Sequence, residues 1–346
     1  MRPSSHGLAP GKAIAHHGAV VHGGRVVLPG SPRLPFDRLP ADLRTAVDTA
    51  LGSPVVAASP RTGGFSPGPA AVLSCADGSR AFVKAVGTPL NPDTPGLLRN
   101  EARITAVLPD GLPVPRLRAY LEVRDGDDEW VALLFDVVDG VNPELPWTAG
   151  AAARVLAGVS AFSAATTPCP VPGLPPLAER LAEELTAWPL LHSAPPADLD
   201  PWEAERLDAL ATLPDRLAAR GALTGDGLVH LDLRADNLML TPDGGVVLLD
   251  WAWAARGPAW VDAVLLVLDM AVHGGLDPAA LLAQVPVVAA ADPADVTDLL
   301  LVFAGMWALL MRRPAPPGLP TLRAFQRRFH AVTLAWVVQR TAAGLA

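Results

Sequence analysis

Cysteine is scarce: the 346-residue chain has two, Cys75 and Cys169. Neither stands in a C-x-x-C pair, which excludes a cysteine-built zinc or redox motif and a disulfide-stapled mini-protein. Two lone thiols in a chain this long suit a reducing, cytoplasmic compartment. Basic charge is also short. The balance is −8 at pH 7, which argues against a nucleic-acid partner, since such a partner requires a basic stripe. Lysine is the rarest basic residue, occurring only as Lys12 and Lys84. Long hydrophobic runs are missing. The most apolar one, Leu299 to Met311, has 13 residues, where a bilayer span needs about 20. We therefore expect a buried helix there, no membrane partner and no secretory signal.

Half the residues are apolar, enough for two ordinary domains or one large two-lobed one. Residues 1–38 are rich in Gly, Pro, Ser and His and read as a flexible tail; His6, His16, His17 and His22 lie there without a metal-ligand spacing. Residues 39–140 read as a sheet lobe. A helix is expected over Leu39–Leu51 and strands over Val55–Ala58, Ala70–Cys75, Arg80–Val86, Leu117–Arg124 and Glu129–Phe135. Asp77-Gly78 and Asp125-Gly126 mark hairpin turns, and a helix at about Leu97–Leu108 interrupts the strands. After Asp139-Gly140 the pattern turns helical, with helices expected at about 147–165, 176–190, 200–220, 259–273, 277–284, 293–312 and 318–344. One β-like stretch, Leu238–Leu249, breaks that run. The expectation is an α+β fold: an antiparallel-sheet lobe with one helix, a hinge, and a larger helical lobe over 141–346.

The chemistry concentrates in Leu228-Val229-His230-Leu231-Asp232-Leu233-Arg234-Ala235-Asp236-Asn237. A carboxylate, Asp232, is followed five residues later by an amide, Asn237, and the strand Val246–Leu249 then delivers a second carboxylate, Asp250. Two acids and an amide at neighbouring strand ends suit a divalent cation with a preference for oxygen, such as magnesium, and can position a hydroxyl.

The spacing His230-x-Asp232-x-x-x-x-Asn237 with Asp250 resembles the catalytic loop and metal-binding aspartate of the protein-kinase-like fold. With Trp251-Ala252-Trp253 and Gly257-Pro258-Ala259-Trp260-Val261-Asp262, it is similar to the aminoglycoside phosphotransferase family in particular, over about residues 50–310. The resemblance implies a bilobal kinase-like fold, ATP and Mg2+ as cofactors, and a small hydroxylated molecule as acceptor. It implies that Asp232 orients the acceptor hydroxyl and takes its proton, and that Asn237 and Asp250 hold the metal. Lys84, in Phe82-Val83-Lys84-Ala85, would hold phosphates, oriented by Glu101 on the next helix; Glu122 and Glu129 are competing acids. Gly63 and Gly64 would belong to the phosphate-covering loop, in which Pro67 and Pro69 remove donors. Backbone groups near Asp136 and Val138 would bind adenine. Arg234 admits two readings of equal weight: a cation for the transferring phosphoryl, or an ion-pair partner of Asp236 or Asp262. His230 reads as structural and Asp262 as a brace for the loop. Leu231 departs from the family, in which many members have glycine.

Only eleven residues separate Asp250 from Asp262, with no Ser, Thr or Tyr among them. A peptide-docking activation segment does not fit, so a small alcohol is expected rather than a protein. An aminoglycoside-type antibiotic is the family-level expectation. The alternatives are a kinase of another small metabolite, such as an amino alcohol, and a non-catalytic nucleotide-binding module. Glu183, Glu184, Asp198, Asp200 and Asp269 are candidate contacts to a polycation, or else solvated helix faces. Trp251, Trp253 and Trp260 are candidates for stacking on a sugar or for the core.

Overall fold

The computed structural model describes residues 20–22, 25–27, 33–61 and 66–345. Gly63 and Gly64 lie outside them. Five strands form the first lobe: β1 (Val55–Pro60), β2 (Ala70–Cys75), β3 (Arg80–Gly87), β4 (Leu117–Asp125) and β5 (Asp128–Phe135). They pair antiparallel in the order β1-β2-β3-β5-β4. Gly78 and Gly126 take positive φ at the two hairpin turns, as the Asp-Gly pairs require.

Each face of the sheet is covered. Helix α1 (Ala41–Leu51) places Leu43 and Val47 against Leu73, Val83, Ala132 and Leu134. Helix α2 (Thr94–Thr105) places Leu98 and Ala102 against Val86, Val131 and Leu133 on the other face. It starts three residues before the expected position, because the Asn91 side chain accepts from the Asp93 and Thr94 N–H groups and Pro95 fits the first turn.

The predicted tail extends too far. Val20–His22 pairs with Arg25–Val27 in a short hairpin. Phe36 is buried against the sheet, and the Leu34 N–H donates to Pro67 O at 2.9 Å. Residues 33–38 therefore belong to the sheet lobe, anchored by an aromatic side chain that a composition reading of Gly, Pro and Ser passes over.

The second lobe is built around α3 (Ala149–Ala165), α4 (Val261–Gly274), α5 (Pro293–Leu310) and α6 (Leu322–Ala342). Helix α5 is long and apolar enough to span a bilayer by length and composition, yet 67% of it is buried in this lobe. The helices expected at 176–190 and 200–220 are broken into short pieces, among them Ala187–Ser193 and Leu213–Arg220. Pro189 and Pro214 each sit in the first turn of a piece, where the missing N–H costs no helical bond. Two small sheets carry the catalytic segment. Strands β6 (Gly227–Val229) and β9 (Ala255–Gly257) form one, and β7 (Leu238–Leu240) and β8 (Val246–Leu248) the other. Sequence periodicity indicated a single interruption there, because three-residue strands are too short to show a period.

Candidate active site

Side chains alternate across a strand, so Lys84 on β3 shares a face with Phe82 and Val86, the face that α2 covers. There Lys84 Nζ donates to Glu101 Oε1 at 2.9 Å and Oε2 at 3.0 Å. It also lies 3.1 Å from Asp250 Oδ2, across the gap between the lobes. Burial works against the Lys84 charge, but Asp250 and Glu101 outweigh it and hold the proton more firmly than on an ordinary lysine. Glu122 and Glu129 instead bind Arg99 at the sheet edge, so Glu101 is the acid that meets the lysine.

The catalytic segment is held from behind. His230 and Leu231 donate their N–H groups to the two oxygens of Asp262, at 2.7 and 2.9 Å. His230 Nε2 donates to Leu249 O at 2.8 Å, and its Nδ1 accepts from the Asp232 N–H at 3.3 Å. Burial pushes its pKa down, so it packs as a neutral ring, 4.5 Å from Trp251. Leu231 and Asp250 both adopt left-handed backbone, with φ of 70° and 69°. That conformation is uncommon for residues with a Cβ, and it turns Asp232 and Asp250 toward each other.

Asn237 Nδ2 donates to Asp232 O at 2.8 Å and to Asp232 Oδ2 at 3.0 Å. This fixes the amide and leaves its oxygen as the remaining ligand atom. Burial, reinforced by Asp250 and Asp236 and opposed by Arg234, pushes the Asp232 carboxyl up to about 6. The Asp250 carboxyl is held below its usual range because Lys84 outweighs its burial. Among the described residues no group of three or more His, Cys, Asp or Glu is placed to bind a metal alone. An amide oxygen and a carboxylate are nonetheless hard oxygen donors of the kind that magnesium uses together with water and phosphate.

Arg234 forks onto Asp236 at 3.0 and 2.9 Å and reaches Asp232 Oδ1 at 3.2 Å. Its guanidinium also lies over the Phe325 ring of α6, 5.3 Å from the centroid. Of the two readings, the geometry selects the ion pair with Asp236; Asp262 is occupied by backbone donors instead.

A cleft of about 470 Å³ between the lobes gathers Lys84, Glu101, Asp136, Val138, Asn237 and Asp250. The Asp136 N–H is spent on Arg116 O at 3.0 Å, and its carboxylate binds Arg116 and Arg118. Its carbonyl is thus the backbone group available at that position. Asp232 does not line the cleft; Asn237 links it to the cleft wall.

Most of the polycation candidates lie elsewhere. Asp269 is fully buried behind the catalytic loop, Asp198 pairs with Arg312, and Asp200 caps a helix at Trp202. Trp251 and Trp260 are core residues. Sequence reasoning missed Phe325, which faces Arg234, and Arg33, which also lines the cleft. No local spacing connects Phe325 with Arg234, or Arg33 with Asn237 and Asp250, across so much chain.

The profile of the Phosphotransferase enzyme family, APH, matches residues 63–294. The chain belongs to this family. A sequence comparison with curated proteins finds no match. Among solved structures, the phosphotransferase fold aligns with a thermostable variant of aminoglycoside phosphotransferase APH(4)-Ia in ternary complex with AMP-PNP and hygromycin B. That alignment has a TM-score of 0.54 and 13% identity, over 85% of this chain and 98% of that one. Amicoumacin kinase hAmiN, in complex with AMP-PNP, Ca2+ and Ami, aligns with a TM-score of 0.51 and 12% identity over 84% and 93%. Choline kinase LicA from Streptococcus pneumoniae aligns with a TM-score of 0.50 and 13% identity over 87% and 98%. At these identities the likeness is one of fold. This phosphotransferase has the two-lobed kinase-like architecture.

Proposed function

We propose that this phosphotransferase moves the γ-phosphoryl group of ATP, with Mg2+, to a hydroxyl of a small molecule, with an aminoglycoside-type antibiotic as the first acceptor class. The observation that carries this reading is Lys84, joined to Glu101 at 2.9 Å and to Asp250 at 3.1 Å across one cleft. In the kinase-like fold such a lysine meets phosphates and such an aspartate meets metal.

In this reading Asp232 orients the acceptor hydroxyl and accepts its proton. A carboxyl raised to about 6 is a better base than an ordinary aspartate and is still mostly ionised near neutral pH. Asn237 and Asp250 would hold the magnesium ion, which neutralises charge on the transferring phosphoryl group. Lys84 holds phosphate oxygens, and the Asp136 carbonyl with the Val138 N–H takes the adenine edge. Gly63 and Gly64 would cover the phosphates. Arg234 orients Asp232 through its 3.2 Å contact rather than reaching the phosphoryl group. Catalysis then comes from positioning and electrostatics.

The cleft is lined by the acids Glu101, Asp136, Glu144, Asp236 and Asp250 and by the cations Arg33, Arg61 and Lys84. The fold shared with a choline kinase supports a second reading, an amino alcohol as acceptor.

The test is a mass-spectrometric screen of purified protein with MgATP against aminoglycosides, other hydroxylated antibiotics and amino alcohols, with Asp232→Asn as control. We expect a phosphorylated product that the control forms about a hundred- to ten-thousandfold more slowly, while the control still binds MgATP. A product formed equally by both proteins removes Asp232 from the chemistry. MgATP binding without any product across the panel leaves an acceptor outside the panel or the non-catalytic module.

A further inference from the structure

Between α5 and α6 the chain leaves the second lobe and touches the first. Residues 311–321 include Pro314, Pro316, Pro317 and Pro320, and the fixed φ of proline makes such a connection stiff. At the base of this strap, Arg323 on α6 donates to Pro314 O from Nε at 3.1 Å and from Nη2 at 2.8 Å. Its tip meets the sheet lobe. Gly318 takes φ 73°, and a Cβ there would stand 2.9 Å from Pro67 Cβ and 3.2 Å from Leu90 O. Glycine alone suits both that backbone and that approach. Next to it, Pro317 O accepts from Asn91 Nδ2 at 3.1 Å.

Asn91 is buried, and both ends of its amide are in use. The oxygen accepts from the Asp93 and Thr94 N–H groups at 3.0 and 3.1 Å, which caps α2, and the nitrogen holds the strap. One side chain thus joins the second lobe to the amino-terminal end of α2. About two turns further on, the same helix carries Glu101, which pairs with Lys84 at 2.9 Å. Beside that acid, Asn100 Nδ2 donates to Ala252 O and gives the helix a second tie to the other lobe. In a kinase-like site the pair of strand lysine and helix acid depends on where this helix sits. Here a segment of the same chain reaches over to hold the helix.

We propose that Asn91 is a positioning residue of the nucleotide site: through it the proline-rich strap 311–321 holds α2 in place, so that Glu101 stays on Lys84. The proposal rests on the ATP reading given above. It gives a part in the site to a segment beyond the family match, which ends at residue 294.

The test is a double-mutant cycle on the full chain, with MgATP binding read by calorimetry. Asn91→Asp keeps an oxygen for the α2 cap and removes the donor to Pro317 O. Gly318→Ala pushes the strap away from Pro67 and leaves Asn91 itself unchanged. Each should weaken MgATP binding about three- to tenfold, the range of one lost hydrogen bond. Glu101→Gln alone should weaken it at least as much. Added to Glu101→Gln, either strap variant should cost less than about twofold more, because the pair that the strap supports is already gone. Losses that multiply in the double variants would make the strap a general structural tie and overturn the proposal. So would a Glu101→Gln variant that binds like the parent. Full MgATP binding in Asn91→Asp and Gly318→Ala, with Glu101→Gln weakened, would overturn it and leave the ATP reading intact. A parent protein that binds no MgATP would remove that reading and this proposal together.

Discussion

Leu231 sits in the left-handed region at φ 70°, and the chain accepts it because Asp262 takes the N–H of Leu231 and of His230. Such a backbone costs about 1–2 kcal/mol without glycine. The Asp262 bonds are therefore structural necessities for the loop that aims Asp232. Asp262→Ala leaves two N–H groups without partners in a buried site, and we expect a loss of about 2–4 kcal/mol in urea unfolding. Turnover should fall more than MgATP affinity, since the loop carries the base while Lys84 stands on the sheet. Unchanged stability in that variant would mean that water replaces the carboxylate. At this scale, the resemblance implied Lys84, Glu101, Asp232, Asn237 and Asp250 as a set, and the structure brings them to one cleft and its wall. It left Arg234 undecided, because both readings need only that Asp236 lie two residues away. The side-chain fork onto Asp236 is a matter of geometry.

Helix α4 braces the proposed catalytic loop at two points two turns apart on one face. Asp262 stands in its first turn, and seven residues later Asp269 Oδ2 accepts from the Ala235 N–H at 3.2 Å and from Trp147 Nε1 at 2.8 Å. Burial pushes the Asp269 carboxyl up to about 7, while burial and then Arg328 push its neighbour His273 down to about 4. Their nearest atoms are 3.6 Å apart. The charged groups facing the pair are Asp236 and Arg234 on the loop and Arg328 on α6.

The two shifts have opposite linkage. Asp269 binds its proton more tightly folded than unfolded, so its contribution is full below about pH 4 and is lost as pH rises toward 7. His273 binds its proton less tightly when folded, so its contribution is full above about pH 6.5 and is lost as pH falls toward 4. Between these limits the slopes oppose each other. Asp269→Asn keeps an oxygen for both donors and removes only the first slope. Its stability relative to the parent should therefore rise between pH 4 and 7, by less than about 1.4 kcal/mol per pH unit, measured by denaturant titration at each pH. A flat difference would show that Asp269 does not take up a proton on folding. Helix α4 was legible as an apolar stretch, but Asp269 was not legible as a brace: a lone acid on an apolar helix gives no sign of which loop it meets.

The whole molecule is two lobes joined at several points. Lys84 meets Asp250, Asn100 Nδ2 donates to Ala252 O, and the Leu248 N–H donates to Pro113 O at 2.8 Å. On the far side, the loop before α6 reaches back to the sheet lobe. Asn91 Nδ2 donates to Pro317 O at 3.1 Å, and Gly318, at φ 73°, leaves no room for a Cβ beside Pro67. Because nucleotide would bind between lobes already tied together, it should stabilise the fold as one unit. At a hundred times its Kd, MgATP should add about 2.7 kcal/mol of stability and raise Tm with concentration. Lys84→Ala and Asp250→Ala should lose most of that gain at the same concentration. A Tm indifferent to MgATP in the parent would count against the site.

Sequence alone determined what depends on neighbours along the chain. Alternating apolar residues and Asp-Gly turns point to the five strands, since these follow from periods of a few residues, and the stretch from His230 to Asp250 carries the resemblance to a kinase-like catalytic loop. The tertiary structure decided what depends on approach through space. It brought Phe36, from a stretch that reads as tail, into the sheet core and Arg33 to the wall of the cleft. It chose Glu101 over Glu122 and Glu129 for Lys84. The reason is that a buried charge is defined by the partner that compensates it, and those partners stand far apart in the chain.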